Sequence, residues 1–340
     1  MSARRLVVAT TVAALASIGS GLAAGGAAAD GLPVVGVDTT RQGVLAPDGQ
    51  HRYLAWPAGD RTVVAEVESD GGELTEQRTI GGRFTVPGVS LDGTTSGLSR
   101  DGSTLVLIKP RVSFPQPETS MVVLDPARLQ VRRRINLPGD FSFDALSPDG
   151  RTMYVIHYTD PRDPIRYRVR AFDLATGELA PGAIVDASAP DEQMRGYPRT
   201  RVTGLDGRWE YTLYDGGGRE PFVHALDTVA GKAVCIDMAW IDAREVGRTS
   251  LVLSDDGSAI EVVESRKGPV AEIDTATAEA TALAASVEPS ATPEEGSDAI
   301  GLVAIGLVAA AIAGGVALVR RRRVPLQVDE AAEGVALSGR

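Results

Sequence analysis

Three histidines, His51, His157 and His224, and one cysteine, Cys235, are the side chains of this 340-residue chain best equipped for chemistry. Imidazole is the commonest metal ligand and a ready general base. A metal centre, however, needs several donors in one place, and these histidines stand far apart, each in a strand-like stretch beside a turn. Three imidazoles from separate segments would have to converge, so the plainer expectation is three half-exposed strand positions. Cys235, in KAVCIDMAW, is expected as a small buried apolar residue; alone it forms no intrachain disulfide and no cysteine-based zinc cluster. Asp160 and Asp163 in TDPRDP offer a carboxylate pair for calcium, but the spacing falls short of an EF-hand loop. There is no G-x-S-x-G elbow, and DGGGREP lacks the lysine and following helix of a phosphate loop. Neither a catalytic residue nor a cofactor is expected.

Recognition is the better use of the irregular stretches. KPRVSFPQPETS holds Arg111 and Phe114, YTDPRDPIRYR holds Arg162 and Tyr167, DASAPDEQMRGYPRT holds Arg195, Tyr197 and Arg199, and DGGGREPF holds Arg219. Arginine and tyrosine are the side chains that most often anchor interfaces. The net charge of −11 disfavours nucleic acid, which demands a concentrated basic surface. A protein, a peptide or an envelope glycan is the expected partner.

These stretches interrupt a repeating frame. LAPDGQHRYLAW, LSRDGSTLVLIK, LSPDGRTMYVIHY, GLDGRWEYTLYD and LSDDGSAIEVVE place turn glycines at Gly49, Gly102, Gly150, Gly207 and Gly257. Self-similarity at a period of about 50 residues marks a repeat architecture. Asp-Gly supplies the positive φ of a tight turn, and the residues after it alternate with the two-residue period of a strand. Further along each unit, a β-branched strand ends on an acidic residue (Glu68, Asp125, Asp173, Asp227, Asp274) and a second turn. Those carboxylates are expected to cap their own turns. Each unit thus holds four strands of antiparallel meander, and radial repetition of such units is a β-propeller.

The third unit, Ser147 to Gly177, resembles the YVTN and WD40-like propeller repeats, whose pattern reads SPDG..hhYV...V...D..TG. The resemblance covers roughly Leu32 to Leu283. It implies an all-β fold of about five blades, with six or seven if further units hide in the longer spacers. LPVVGVDTT at the start is a candidate closing strand for the last blade. Fold alone does not fix function. Some relatives of this type are lactonases or other hydrolases acting at the central channel, so a propeller hydrolase working on an extracytoplasmic small molecule stands as the alternative to a binding module.

Both ends of the chain bear on its address. Residues 1–29 carry Arg4 and Arg5, a short apolar run and small residues before Asp30, the pattern of a cleaved signal peptide. No cysteine follows that run, which removes a lipoprotein anchor. Residues 30–283 form the expected extracytoplasmic propeller, and the Pro-containing polar residues 284–299 a flexible stalk. Residues 300–319 are an uncharged run of about 20 residues, enough for one transmembrane helix. The arginines opening the cytoplasmic tail, residues 320–340, set its orientation. Gly306, Ala310 and Gly314, spaced four apart, offer a close-approach face for a homodimer.

Overall fold

The computed structural model describes residues 42–190 and 194–283, all within the first of two compact units of the chain. No helix among these residues is long and apolar enough to cross a membrane. The expected signal peptide, closing strand, stalk, transmembrane helix with its Gly306, Ala310 and Gly314, and tail lie outside the described residues.

The described chain is all-β. Its first sheet runs β1 (Val44–Leu45), β2 (His51–Ala58), β3 (Arg61–Glu68) and β4 (Leu74–Gly81), each strand antiparallel to the next. The second holds β5 (Leu105–Ile108), β6 (Glu118–Asp125) and β7 (Gln130–Pro138). In the third, β8 (Phe141–Leu146), β9 (Thr152–Tyr158), β10 (Arg166–Asp173) and β11 (Glu178–Leu179) follow one another, and a short β12 (Met194–Arg195) also pairs with β10. The fourth is β13 (Pro198–Thr203), β14 (Trp209–Tyr214), β15 (Phe222–Asp227) and β16 (Lys232–Asp237). The fifth is β17 (Thr249–Leu253), β18 (Ala259–Glu264), β19 (Gly268–Asp274) and β20 (Ala280–Ala282). Among the described residues the fifth sheet has four strands, all from its own unit.

The repeated turn explains this regularity. In the second, third and fifth units the serine hydroxyl donates to the aspartate Oδ1, at 2.6 Å for Ser99 and Asp101, 2.6 Å for Ser147 and Asp149, and 2.8 Å for Ser254 and Asp256. The same oxygen accepts the backbone N–H two residues on, and the glycine N–H closes back onto the serine carbonyl at 2.9 Å in all three. These contacts, led by the backbone N–H of Ser258, hold the Asp256 carboxyl down at about 2. The second turn behaves as expected in three of the five units: Asp173, Asp227 and Asp274 each accept two backbone N–H groups of the turn that follows, at 2.7–3.0 Å, whereas in the second unit Asp125 pairs with Arg128 and Arg132.

The second unit departs from the pattern. Its inner strand position is split between the bridges Leu98–Leu105 and Thr85–Ile108, and residues 86–97 leave the sheet as a hairpin. The tip, Ser90-Leu91-Asp92-Gly93, repeats the Ser-x-Asp-Gly turn of the second, third and fifth units, with Ser90 Oγ donating to Asp92 Oδ1 at 2.7 Å. Leu91 and Asp92 donate their N–H groups to the carbonyls of Pro198 and Arg199 at 2.9 and 3.2 Å, and Thr95 Oγ1 donates to Gly43 O. One hairpin therefore ties the inner strands of the first, second and fourth sheets. The hidden unit that the long spacer allowed for is this strap, not another sheet.

Apolar cores lie between successive sheets. Val64, Leu107 and Leu124 join the first and second, and Val106, Met121, Phe143 and Val155 the second and third. Tyr158, Tyr167 and Tyr214 join the third and fourth, and Leu213, Leu251, Ile260 and Ile273 the fourth and fifth.

Candidate functional site

The loops joining second to third strands gather at one end of the sheets, and the residues singled out for recognition divide there into two groups. Arg111 and Tyr167 are buried. The Arg111 guanidinium pairs with Asp140, donates to Phe141 O and to Ser142 Oγ, and lies 4.9 Å from the Tyr158 ring centre. Phe114 meets the same ring edge-on at 5.7 Å. Tyr167 donates its hydroxyl to Gly196 O at 3.0 Å, and burial pushes that phenol well above its ordinary range. Arg111, Phe114 and Tyr167 thus hold the loops to one another. Arg162 is exposed, and its N–H donates to Asp160 Oδ1. Tyr197 and Arg199 are half-buried beside Asp215, which accepts the Tyr197 N–H at 2.8 Å and lies 3.9 Å from Arg199 Nη1.

Arg195 and Arg219 share a different setting. Both line a cleft of about 480 Å³ between the crossover from third to fourth sheet and one face of the fourth sheet. Register builds the sheet wall: Phe222 stands opposite Asp237 and His224 opposite Cys235, so all four share a face of β15 and β16. The crossover forms the other wall with Val185, Asp186, Ala189, Met194 and Arg195, and the loop after β14 adds Gly216, Arg219 and Glu220. Asp186 anchors the crossover by accepting the Cys235 N–H at 2.7 Å and by bridging to Ala233 in parallel. Neither Arg195 nor Arg219 enters an ion pair among the described residues.

The three histidines do not meet. His51 opens β2 and pairs with Asp48 at 2.7 Å, which raises its pKa. His157 stacks on Phe141 with centroids 4.3 Å apart, and burial lowers its pKa. His224 is not half-exposed as expected but only 3% exposed, and burial drives its imidazole down to about 4, leaving it neutral. Its Nδ1 lies 3.8 Å from Cys235 Sγ. Cys235 is half-buried on the cleft wall, not buried in a core as its strand context suggests. No cluster of three or more His, Cys, Asp or Glu side chains suited to a metal occurs among the described residues.

Behind the cleft runs a buried polar seam. Arg201 on β13 pairs with Asp144 on β8, donates to Asp144 O at 2.6 Å and donates from Nε to Thr212 Oγ1 at 2.7 Å. Glu210 follows on β14, its Oε2 accepting from Thr203 Oγ1 at 2.8 Å, and burial pushes its carboxyl up to about 7. Glu210 also faces a wider concavity of about 880 Å³ at the Asp-Gly end of the sheets, beside Arg52, Arg100 and the strap.

Sequence reasoning found Arg195 and Arg219 but missed Met194, Phe222 and Asp237, whose common surface depends on strand register and on the crossover's path. No protein family profile and no curated protein matches the chain. Many solved structures do, at low identity. Hydrazine synthase of Kuenenia stuttgartiensis is 19% identical, over 70% of this chain and 64% of that one, with a TM-score of 0.43. TolB from Acinetobacter baumannii is 14% identical, over 69% and 52%, at 0.40. The β-propeller domain of Cps50 (Swd1) from Myceliophteria thermophila is 12% identical, over 69% and 66%, at 0.40. The matched region spans between about half and two thirds of each of these chains. The description of the fold rests on this chain's own sheets and register.

Proposed function

We propose that this chain is a five-bladed β-propeller tethered outside the membrane by one C-terminal helix, and that it binds a polypeptide segment of a protein or peptide partner in the cleft beside the fourth sheet. The observation that carries the reading is the meeting of Arg195 and Arg219, from two separate irregular segments, over one cleft with no ion-pair partner for either among the described residues. Uncommitted guanidiniums beside an aromatic and a thioether make an anchor pocket of the kind interfaces use. Glu220 and Asp237 at the same opening mix the charge, which suits a polypeptide better than a polyanion. The signal-like residues 1–29 and the arginine-flanked apolar run at 300–319 support the extracytoplasmic address. Five meander sheets packed in sequence, strapped across their inner strands, support the propeller.

The test is site-specific photocrosslinking on intact cells, with the photoreactive residue replacing Ala189 in the cleft or Ser103 at the opposite end of the sheets. The cleft position is expected to capture a discrete envelope or extracellular polypeptide that Arg195→Ala with Arg219→Ala abolishes. Equal capture from both positions, or capture indifferent to the arginines, refutes the reading. The hydrolase alternative gains nothing from the histidines, which stand in three different sheets with different neighbours.

A further inference from the structure

The third sheet carries a charge pattern that its core does not use. Along β10 the exposures alternate: Tyr167 and Val169 are buried, whereas Arg166 and Arg168 are exposed and Arg170 is half-buried. Strand alternation therefore sets three arginines in a row on one face of the sheet, each about 6.6 Å along the strand from the next. Register enlarges the group. Arg195 of β12 stands directly opposite Arg166, and His157 of β9 directly opposite Arg168.

Like charges placed opposite one another work against a sheet. A surface that serves the fold alone relieves them with carboxylates, and this chain has 45 acidic residues to supply them. Yet among the described residues the single carboxylate within ion-pair distance of the row is Asp163, 3.6 Å from Arg166 Nε. Arg168, Arg170 and Arg195 enter no ion pair there. Arg170 donates from Nε and Nη2 to Ala180 O, which orients its guanidinium without neutralising it. Burial, reinforced by Arg170 and Arg168, holds the His157 imidazole below its ordinary range, so it brings no charge of its own at neutral pH. An acidic chain thus keeps four arginines together with one carboxylate, an arrangement that costs the fold and is compensated by an anion from outside.

We propose that Arg166, Arg168 and Arg170 on β10, with Arg195 at the end of the row, bind an acidic segment of a polypeptide partner in extended conformation. An extended chain repeats its side chains on one face with the same two-residue period, about 6.6 Å, so alternate Asp or Glu residues meet successive arginines in step. The guanidinium fork takes a carboxylate through two hydrogen bonds. Continuity with the cleft favours a polypeptide: Arg195 stands opposite Arg166 and also lines that cleft, so one chain spans both surfaces. The proposal rests on the reading of the cleft for the class of partner alone; the row is a separate surface, and its test does not involve Arg219.

The test measures fluorescence anisotropy of a labelled peptide of alternating glutamate and threonine with the full chain in non-ionic detergent at low ionic strength. A peptide of the same composition with its glutamates in one block is the comparison. The alternating peptide is expected to bind more tightly than the block peptide and to be released by salt. Arg166→Ala with Arg168→Ala should weaken it about 10-fold, while Arg78→Ala, at an exposed arginine on β4 of the first sheet, leaves it unchanged. The urea midpoint of the double variant is expected to equal or exceed that of wild type, because the changes relieve repulsion. No binding by the wild-type chain, equal affinity for the two peptides, or equal loss in Arg78→Ala overturns the proposal. So does competition by short-chain polyphosphate at equal charge with the same sensitivity to the double variant, which would assign the row to a phosphate polymer.

Discussion

Glu210 gives the fold a stake in pH near neutrality. Burial holds its carboxyl up to about 7 against an ordinary value of 4.5, while the Arg201 guanidinium pulls the other way. Between those two pH values the folded chain keeps a proton that the unfolded chain has lost, so stability falls as pH rises through the window. By linkage the loss is about 3 kcal/mol, complete a little above pH 7. Glu210→Gln keeps an acceptor for Thr203 and has no charge to bury. It is expected to outlast wild type in urea at pH 8 and to match it near pH 4.5; a constant difference across that range contradicts the assignment. The neighbouring pair is sensitive in another way. Asp144→Ala leaves Arg201 buried without its carboxylate and should cost about 3–5 kcal/mol, whereas the double change Asp144→Leu with Arg201→Met should recover most of it. Denaturant midpoints of the two variants decide the point.

At the scale of the element, the repeated turn is one motif in different surroundings. Gly150 has φ +63°, and a Cβ there would stand 2.4 Å from Thr104 Oγ1 of the preceding unit; Gly49 has φ +70° with nothing within 4 Å. Backbone strain is common to both, about 1–2 kcal/mol on replacement by alanine. Only Gly150→Ala adds a clash, so it should cost about 1–3 kcal/mol more than Gly49→Ala in equilibrium unfolding. Equal costs contradict the account of unit-to-unit packing. These turns were legible because their hydrogen bonds close within six residues, Ser, Asp and Gly each supplying one local contact. Ser90–Gly93 has the same residues and the same bonds, but no alternating strand follows it, so its role as a strap depended on where its tip lands.

At the scale of the whole molecule, shared cores couple the first sheet to the second, the second to the third, the third to the fourth and the fourth to the fifth. No core cluster joins the fifth sheet to the first among the described residues. Local opening should follow that order. Hydrogen exchange is expected to be slowest in β5, β8 and β14, which are covered from two sides, and fastest in β4 and β20; uniform protection across all five sheets would contradict it. The Asp92 contacts with β13 should slow exchange at the strap tip well below that of an ordinary exposed turn, an effect Asp92→Ala should weaken.

The amino-acid sequence alone marked the five units and their Asp-Gly turns, because these depend on contacts between residues near in the chain, but it did not show the split inner strand of the second unit. The all-β class followed from the same local chemistry. It also marked the irregular segments as the places where the frame allows variation. Tertiary structure alone decided which of their arginines face outward: Arg111 is spent on Asp140, whereas Arg195 and Arg219 meet over one cleft. It alone set His224 beside Cys235 and ran Met194 past them, since cross-strand register and the route of a crossover depend on how sheets pack and leave no mark on any short stretch of residues.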